Sequence, residues 1–233
     1  MIKAQKVTKR FGMKNILLNL DFEVGKGEFV ALMGPNGAGK TTFLRILASL
    51  SKATFGRVTV AGYQLPVQAA QVRSNLGVVS HQPLLYGELT AEENLLFYGR
   101  MYSVVNLSHR ISEVLEFVGL SNRRRDVVRT YSRGMQQRLA IGRAILHNPS
   151  VLLLDEPHTG LDQDACTMLD RLLQDVAGQG KTIVMTTHDL SRVQDLANRF
   201  DILSHGKIIS SMSKSDLPPD GLLKYYRNAL DLS

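Results

Sequence analysis

The stretch "MGPNGAGKTTF", residues 33–43, decides how this chain is read. Glycine loses more backbone freedom on folding than any other residue, so three glycines this close need a reason. The spacing Gly34-x-x-x-x-Gly39-Lys40-Thr41 supplies one, a loop whose backbone N–H groups wrap a phosphate. Such a loop works only between a strand and a helix, and the flanks fit. "GEFVALM" before it is short and apolar, as a buried strand should be. "TTFLRILASL" after it places Phe43, Leu44, Leu47 and Leu50 at helical spacing. Several N–H groups and a helix N-terminus then converge on one point, where an anion is favoured. Lys40 is expected to reach the β- and γ-phosphates of a nucleotide, and the Thr41 hydroxyl to ligate Mg²⁺.

The 233 residues suffice for one sizeable core, or one core with an inserted lobe. Hydrophobic content of 44% and charged content of 21% are those of a globular protein, not a disordered one. A single cysteine, Cys166, excludes an internal disulfide, fits a reducing compartment and reads as inert helix packing. No apolar run approaches the roughly 18–20 residues that a membrane span needs, and the basic N-terminus lacks an apolar signal segment. The expectation is a soluble intracellular protein, or one held at a membrane by something else. The net charge of +7 comes without aromatic and basic residues interleaved as in a single-strand groove, so no nucleic acid is expected. The one dense basic run, Arg123-Arg124-Arg125, reads as a solvated loop or a contact for lipid head groups or a partner.

From Met1 to Gly34 the pattern is β, with turns at "FGMKN" and "GKG". Another β-rich piece, "GRVTVAGYQL", follows the first helix, and "LGVVSHQ" reads as a strand ending at Gln82-Pro83. To about Pro149 the character is then helical. Thr90-Ala-Glu-Glu93 is a capping box, "ISEVLEFVGL" stops at Gly119, and "MQQRLAIGRAIL" stops before Asn148-Pro149. Alternation resumes with the strand "VLLLD" and a helix carrying Met168, Leu169, Leu172, Leu173 and Val176 on one face. The strand "TIVMTTH", a helix "DLSRVQDLANRF" and a closing hairpin "DILSHGKIISSM" complete it. Apolar strands alternating with helices indicate a parallel sheet covered on both faces.

"VLLLDEP" places Asp155 and Glu156 at the carboxyl end of a buried strand, the end that faces a phosphate loop. Asp155 is expected to hold Mg²⁺ directly or through water, and Glu156 to orient or deprotonate an attacking water. In "TYSRGMQQRLAIGRA", Ser132 and Gly134 open a long helix and form a second anion site. Two copies pairing head to tail would place this helix end at the γ-phosphate held by the other. His158, between the carboxylate pair and Gly160, reads as an exposed turn residue.

Residues 34–42, Gln82, "YSRGMQQR", "LLLDEP", "GLD" at 160–162 and His188 resemble, in order and spacing, the ATP-binding-cassette (ABC) transporter ATPase subunits. The resemblance covers essentially the whole chain. It implies an α/β, P-loop NTPase fold, a mostly parallel sheet with an antiparallel β region and an inserted α-helical lobe. The expected divisions are an ATP-binding core at 1–82 and 150–214, a lobe at 83–149 and a short tail at 215–233. ATP would lie on Gly34, Pro35, Asn36, Gly37, Ala38, Gly39, Lys40, Thr41 and Thr42. Phe11 matches the aromatic that stacks on adenine, although by itself it would read as core. Gln82 matches the residue that contacts Mg²⁺ or the attacking water, Asp162 the loop crossing the dimer interface, and His188 the histidine touching the γ-phosphate. The metal set is then Thr41, Gln82 and Asp155, and the catalytic set Glu156, His188 and Gln82. In the family signature Leu-Ser-Gly-Gly-Gln, Arg133 and Met135 replace a glycine and a glutamine here.

The resemblance further implies an ATP-dependent homodimer at the cytoplasmic side of the cell membrane, driving a separate integral membrane permease. That permease would dock on the lobe, with Tyr86 and Glu88 as contacts, while Leu84, Leu85, Phe97 and Tyr102 mostly pack the lobe. The wording is similar to exporters. Residues 131–162 resemble subunits assigned to haem export in cytochrome c maturation. The alternative is a non-transport ATPase of the same family acting on a soluble assembly such as an iron–sulfur scaffold.

Overall fold

A computed structural model describes residues 1–80 and 82–231. Strands β1 (Ile2–Phe11) and β2 (Lys14–Val24) form an antiparallel hairpin, and β3 (Phe29–Met33) runs buried into the glycine loop. Helix α1 (Lys40–Leu47) follows, then β4 (Phe55–Val60), β5 (Tyr63–Leu65), α2 (Ala69–Ser74) and β6 (Leu76–Val79). Three helices come next, α3 (Ala91–Met101), α4 (Leu107–Phe117) and α5 (Arg133–Ile145). The chain then alternates through β7 (Val151–Asp155), α6 (Gln163–Gly178), β8 (Thr182–Thr186), α7 (Leu190–Leu196) and β9 (Arg199–Ser204). It closes with β10 (Lys207–Ser213) and α8 (Gly221–Asp231).

Two sheets result: an antiparallel one ordered β2-β1-β4-β5 and a six-stranded one ordered β10-β9-β3-β8-β7-β6. The second is parallel except for β10, so the α/β fold is the expected one. Side chains alternate across β3, and this splits the interior in two. Phe29, Ala31 and Met33 join Leu95, Ile111, Val114, Leu139 and Ala140 of the three helices on one face. Val30 and Leu32 join Phe43, Leu47, Ile2, Leu17 and Val58 between the two sheets on the other. Helix α1 is thus clamped between the sheets, which holds the glycine loop at the carboxyl edge of β3.

Several expectations are corrected. Leu50 lies beyond the end of α1 and is 60% exposed, because the chain turns at Ser49 with φ 59°. Met168 is exposed, since it stands about 100° away from Leu169 on α6. Arg199 and Phe200 belong to β9 rather than to the preceding helix, which ends at the extended Ala197. Helix α2 had no sequence expectation. The tail carries α8, whose Leu222 and Tyr225 are buried in the helical-side core. Position 81, the expected continuation of β6, and positions 232–233 of the tail lie outside the described residues.

The capping box at α3 forms as expected, with Thr90 accepting from Glu93 N at 3.2 Å and Glu93 accepting from Thr90 N at 2.8 Å. Leu84, Phe97 and Tyr102 are exposed rather than packed into the lobe, and Tyr86 is exposed as well. Tyr86 stands edge-on to Phe97, 5.0 Å between centroids, and Asn94 pins the Tyr86 backbone with bonds of 2.8 and 2.9 Å. The arginine run is partly spent within the chain, Arg124 on Glu92 and Arg123 on Asp126.

His147 stacks on Tyr102 with centroids 3.8 Å apart. Burial, helped by the Arg143, Lys181 and Arg110 cations, pushes its pKa down to about 4, and the Leu76 backbone offsets part of this. A depressed histidine pKa means that the unfolded chain binds the proton better. Stability is therefore full above pH 6.5 and falls as the pH drops towards 4. After discounting for partial exposure, the loss is roughly 1–2 kcal/mol. His147→Phe, which keeps the stack, should flatten this part of a denaturation-versus-pH curve. An unchanged curve would remove His147 as the cause.

Candidate nucleotide site

The glycine loop is shaped by close approach as much as by turning. At Gly34, with φ 151°, a Cβ would lie 2.0 Å from the carbonyl oxygen of Leu203 on β9. At Gly39, with φ 110°, it would meet Leu17 at 2.8 Å. Helix α1 begins at Lys40 with no side-chain cap, so the N–H groups of its first turn have no intrahelical partner. The Lys40 ammonium, on a residue only 7% exposed, lies inside the loop and donates to Gly34 O at 2.7 Å and Pro35 O at 3.2 Å. Burial lowers its pKa, while Glu156 and Asp155 act in the opposite sense. A buried cation whose hydrogen bonds among the described residues go to loop carbonyls, beside uncapped N–H groups, is a donor set that fits a polyphosphate.

Strands β7 and β8 bring the carboxylates to the same edge, since Asp155 pairs in register with Thr186. Thr186 Oγ1 donates to Asp155 Oδ1 at 2.7 Å, and Thr41 Oγ1 donates to the same oxygen at 3.1 Å. A hydroxyl and a carboxylate are hard oxygen ligands, the chemistry Mg²⁺ prefers. Glu156 adopts the left-handed φ of 51°, with its N–H on Thr186 O and Oγ1, both at 3.1 Å. Its Oε2 lies 2.7 Å from His188 Nδ1, and the His188 side chain is 64% exposed. Thr186 thus holds the Asp155 carboxylate through its hydroxyl and Glu156 by its backbone N–H. A threonine at the end of a buried strand was the available sequence signal, and it is too common to single out.

The remaining expected residues lie around this centre without all touching it. Phe11 ends β1 and is 57% exposed, with Lys9 Nζ 4.7 Å from its ring centroid, which removes the core reading. Gln82 is exposed, and among the described residues its side chain makes no hydrogen bond to Thr41 or Asp155. Pro35, Asn36, Gly37, Ala38 and Thr42 complete the loop and the first helical turn. Ser132 caps α5 through Met135 N at 3.2 Å, and Gly134 packs on Ala165, where a Cβ would sit 2.8 Å from the alanine's own. No hydrogen bond joins Ser132 or Gly134 to residues 34–42 among the described residues. Asp162 caps α6 through Ala165 N at 2.8 Å. The guanidinium of Arg133 lies over Gly160, and Met135 packs against the helical-side core.

One expectation fails outright. His158 is 9% exposed, not a solvent-facing turn residue, and its Nε2 lies 2.7 Å from Asp170 Oδ1. The tight turn at residues 158–161 folds its ring inward onto α6, where no local pattern places it. Cys166 is buried as expected, and burial raises its thiol pKa.

Comparison with known proteins agrees with this geometry. The family model described as "ABC transporter" matches residues 17–159. The linearmycin resistance ATP-binding protein LnrL of Bacillus subtilis (strain 168) is 36% identical over 219 residues, covering 93% of this chain and 70% of that protein. The Nod factor export ATP-binding protein I of Cupriavidus pinatubonensis is also 36% identical, covering 93% of this chain and 67% of that protein. A dimeric ATP-binding cassette solved in a post-hydrolysis state with ADP and Pi superimposes with a TM-score of 0.82 at 30% identity, covering 92% of this chain and 99% of that one. The chain belongs to the ABC transporter family, as an ATP-binding ATPase subunit.

Proposed function

We propose that this chain works as a head-to-tail homodimer that hydrolyses ATP and so drives a separate permease in the export direction. The observation that carries the dimer is the separation of two halves of one site. Lys40, Thr41, Asp155, Glu156 and His188 gather at one sheet edge, while Ser132 and Gly134, the second anion site, open α5 with no hydrogen bond to them among the described residues. A second copy would supply that helix end, with Asp162 at the seam, as pairing in the dimeric relative supports. Phe11 would stack on adenine, and the loop from Gly34 to Thr42 would hold the phosphates. Thr41, Asp155 and Gln82 would hold Mg²⁺, which neutralises charge on the phosphates when bound. Glu156 takes the proton of the attacking water, and His188 holds the Glu156 carboxylate through its Nδ1 contact. Division into a core (1–82 and 150–214), a lobe (83–149) and a tail (215–233) is part of the same reading.

The lobe's exposed Tyr86, with Glu88 beside it, is the permease contact in this reading. No helix among the described residues is long and apolar enough to cross a membrane, so attachment at the cytoplasmic face would come through that partner. Export follows the names of the relatives, a resistance protein and a Nod factor exporter. Haem is the cargo that the resemblance of residues 131–162 favours. Co-purification of the tagged chain from gently solubilised membranes tests the whole reading. A polytopic membrane protein is expected, whereas a soluble scaffold alone would overturn the transporter role. Tyr86→Ala should leave basal ATPase unchanged and remove at least tenfold of any permease-stimulated turnover. Loss of both activities, or of neither, would sink the docking role.

A further inference from the structure

Behind the Glu156–His188 contact the same two loops are joined a second time, by largely shielded side chains that the proposed chemistry does not use. His158, two residues after Glu156, meets Asp170 Oδ1 of α6 at 2.7 Å through Nε2. Asp170 Oδ2 accepts from Arg192 Nη1 of α7 at 3.0 Å. Arg192 Nε lies 3.3 Å from Asp189 Oδ2, and Asp189 directly follows His188. The guanidinium also donates to Gln163, the residue after Asp162. A closed circuit runs from Glu156 through His158, Asp170, Arg192 and Asp189 to His188, and across the 2.7 Å contact back to Glu156. The side chains of His158, Asp170 and Arg192 are 7%, 22% and 16% exposed, so water competes little for the bonds among these three, whereas the Asp189 side chain is 38% exposed.

The proton on His158 follows from its surroundings. Its Nδ1 is buried without a hydrogen-bond partner among the described residues, so a second proton there would be unsatisfied. Burial correspondingly depresses its pKa, with Asp170 opposing. The ring is therefore neutral and donates from Nε2 to the Asp170 carboxylate, a charge-assisted bond. On the other side of Glu156, Thr186 grips the backbone N–H. A non-glycine residue at φ 51° persists only where its neighbours over-determine it, and here Thr186 holds its N–H while the Thr159 N–H donates to its carbonyl at 3.1 Å.

We infer that His158, Asp170 and Arg192 are positioning residues, a clamp that sets the distance between the Glu156 loop and the His188 loop. The inference rests on the proposed hydrolytic role of Glu156. A displacement near 1 Å at a reacting group costs up to about 10²-fold in rate, so loosening one anchor is expected to cost roughly tenfold.

His158→Leu should lower kcat for ATP about tenfold with KM within twofold of the wild type. His158→Gln, whose amide can donate to Asp170, should recover most of that loss. Asp170→Asn, close in shape but without the charge that holds Arg192, should resemble His158→Leu. In a His188→Ala background, His158→Leu should cost nothing further, since the loop it positions has lost its side chain. Equal losses for the Leu and Gln variants, or full additivity with His188→Ala, would overturn the clamp. Backbone hydrogen exchange at residues 156–161 and 187–193 separates this from failure of the hydrolytic reading. If the wild type hydrolyses no ATP, that reading falls. Faster exchange in both segments of His158→Leu, but not of His158→Gln, still establishes the clamp. Equal exchange in all three proteins removes it.

Discussion

Glu156→Gln is expected to lower ATP turnover by about 10²–10⁴-fold, the range for losing a general base, and to lock ATP-bound protein as a dimer. Glu156 sits at the carboxyl edge of β7, one residue beyond Asp155, and His188 holds its Oε2 at 2.7 Å. An amide keeps the size and the hydrogen-bonding reach but accepts no proton from water. Binding is left intact because Lys40, Thr41 and the loop N–H groups are untouched. With ATP able to join two copies and unable to be cleaved, the joined state accumulates. Light scattering after addition of ATP and Mg²⁺ should show the 25.8 kDa mass doubled. Persistent monomer would contradict a shared site, and undiminished turnover would move the base elsewhere.

Gly34→Ala should lower the melting temperature by roughly 10 °C or more and abolish nucleotide binding. The added Cβ would lie 2.0 Å from Leu203 O, a backbone atom of a buried strand that cannot swing aside. Relief requires separating β3 from β9, whose register runs from Val30↔Arg199 to Met33↔Ile202, or reshaping the loop. Either costs several kcal/mol, in the range of severe core overpacking, and a 233-residue protein loses about 2–4 °C per kcal/mol. Gly37→Ala is the control. Its Cβ would meet nothing within 4 Å, so only the strain of its φ of 81° is added, and the melting temperature should fall much less. Equal melting of both variants would refute the close-approach argument.

The candidate nucleotide site was legible because its residues sit in short contiguous runs. Gly34–Thr42, Asp155–Glu156 and Ser132–Gly134 each lie at an element boundary, and strand, turn and helix patterns are local properties of the chain. The parallel sheet followed from apolar strands alternating with helices. What local pattern misplaced were edges and singletons. Met168 and Leu50 have core-type side chains, but their place one residue off a stripe, or just past a helix end, is decided by packing. Helix α2 is too short to show a period.

The sequence by itself determined the phosphate loop, the carboxylate pair at the strand end, the capping box at Thr90 and the α/β class. All of these depend on residues a few positions apart. Only the tertiary structure decided that Thr186 bonds both the Asp155 carboxylate and the Glu156 backbone N–H, that Phe11 and Tyr86 are exposed, and that His158 is buried against Asp170. It alone showed that, among the described residues, no hydrogen bond joins Ser132 or Gly134 to residues 34–42 within one chain. The contacts among them join residues 12 to 31 positions apart. Their geometry is set by how the sheets and helices pack, which no local period encodes.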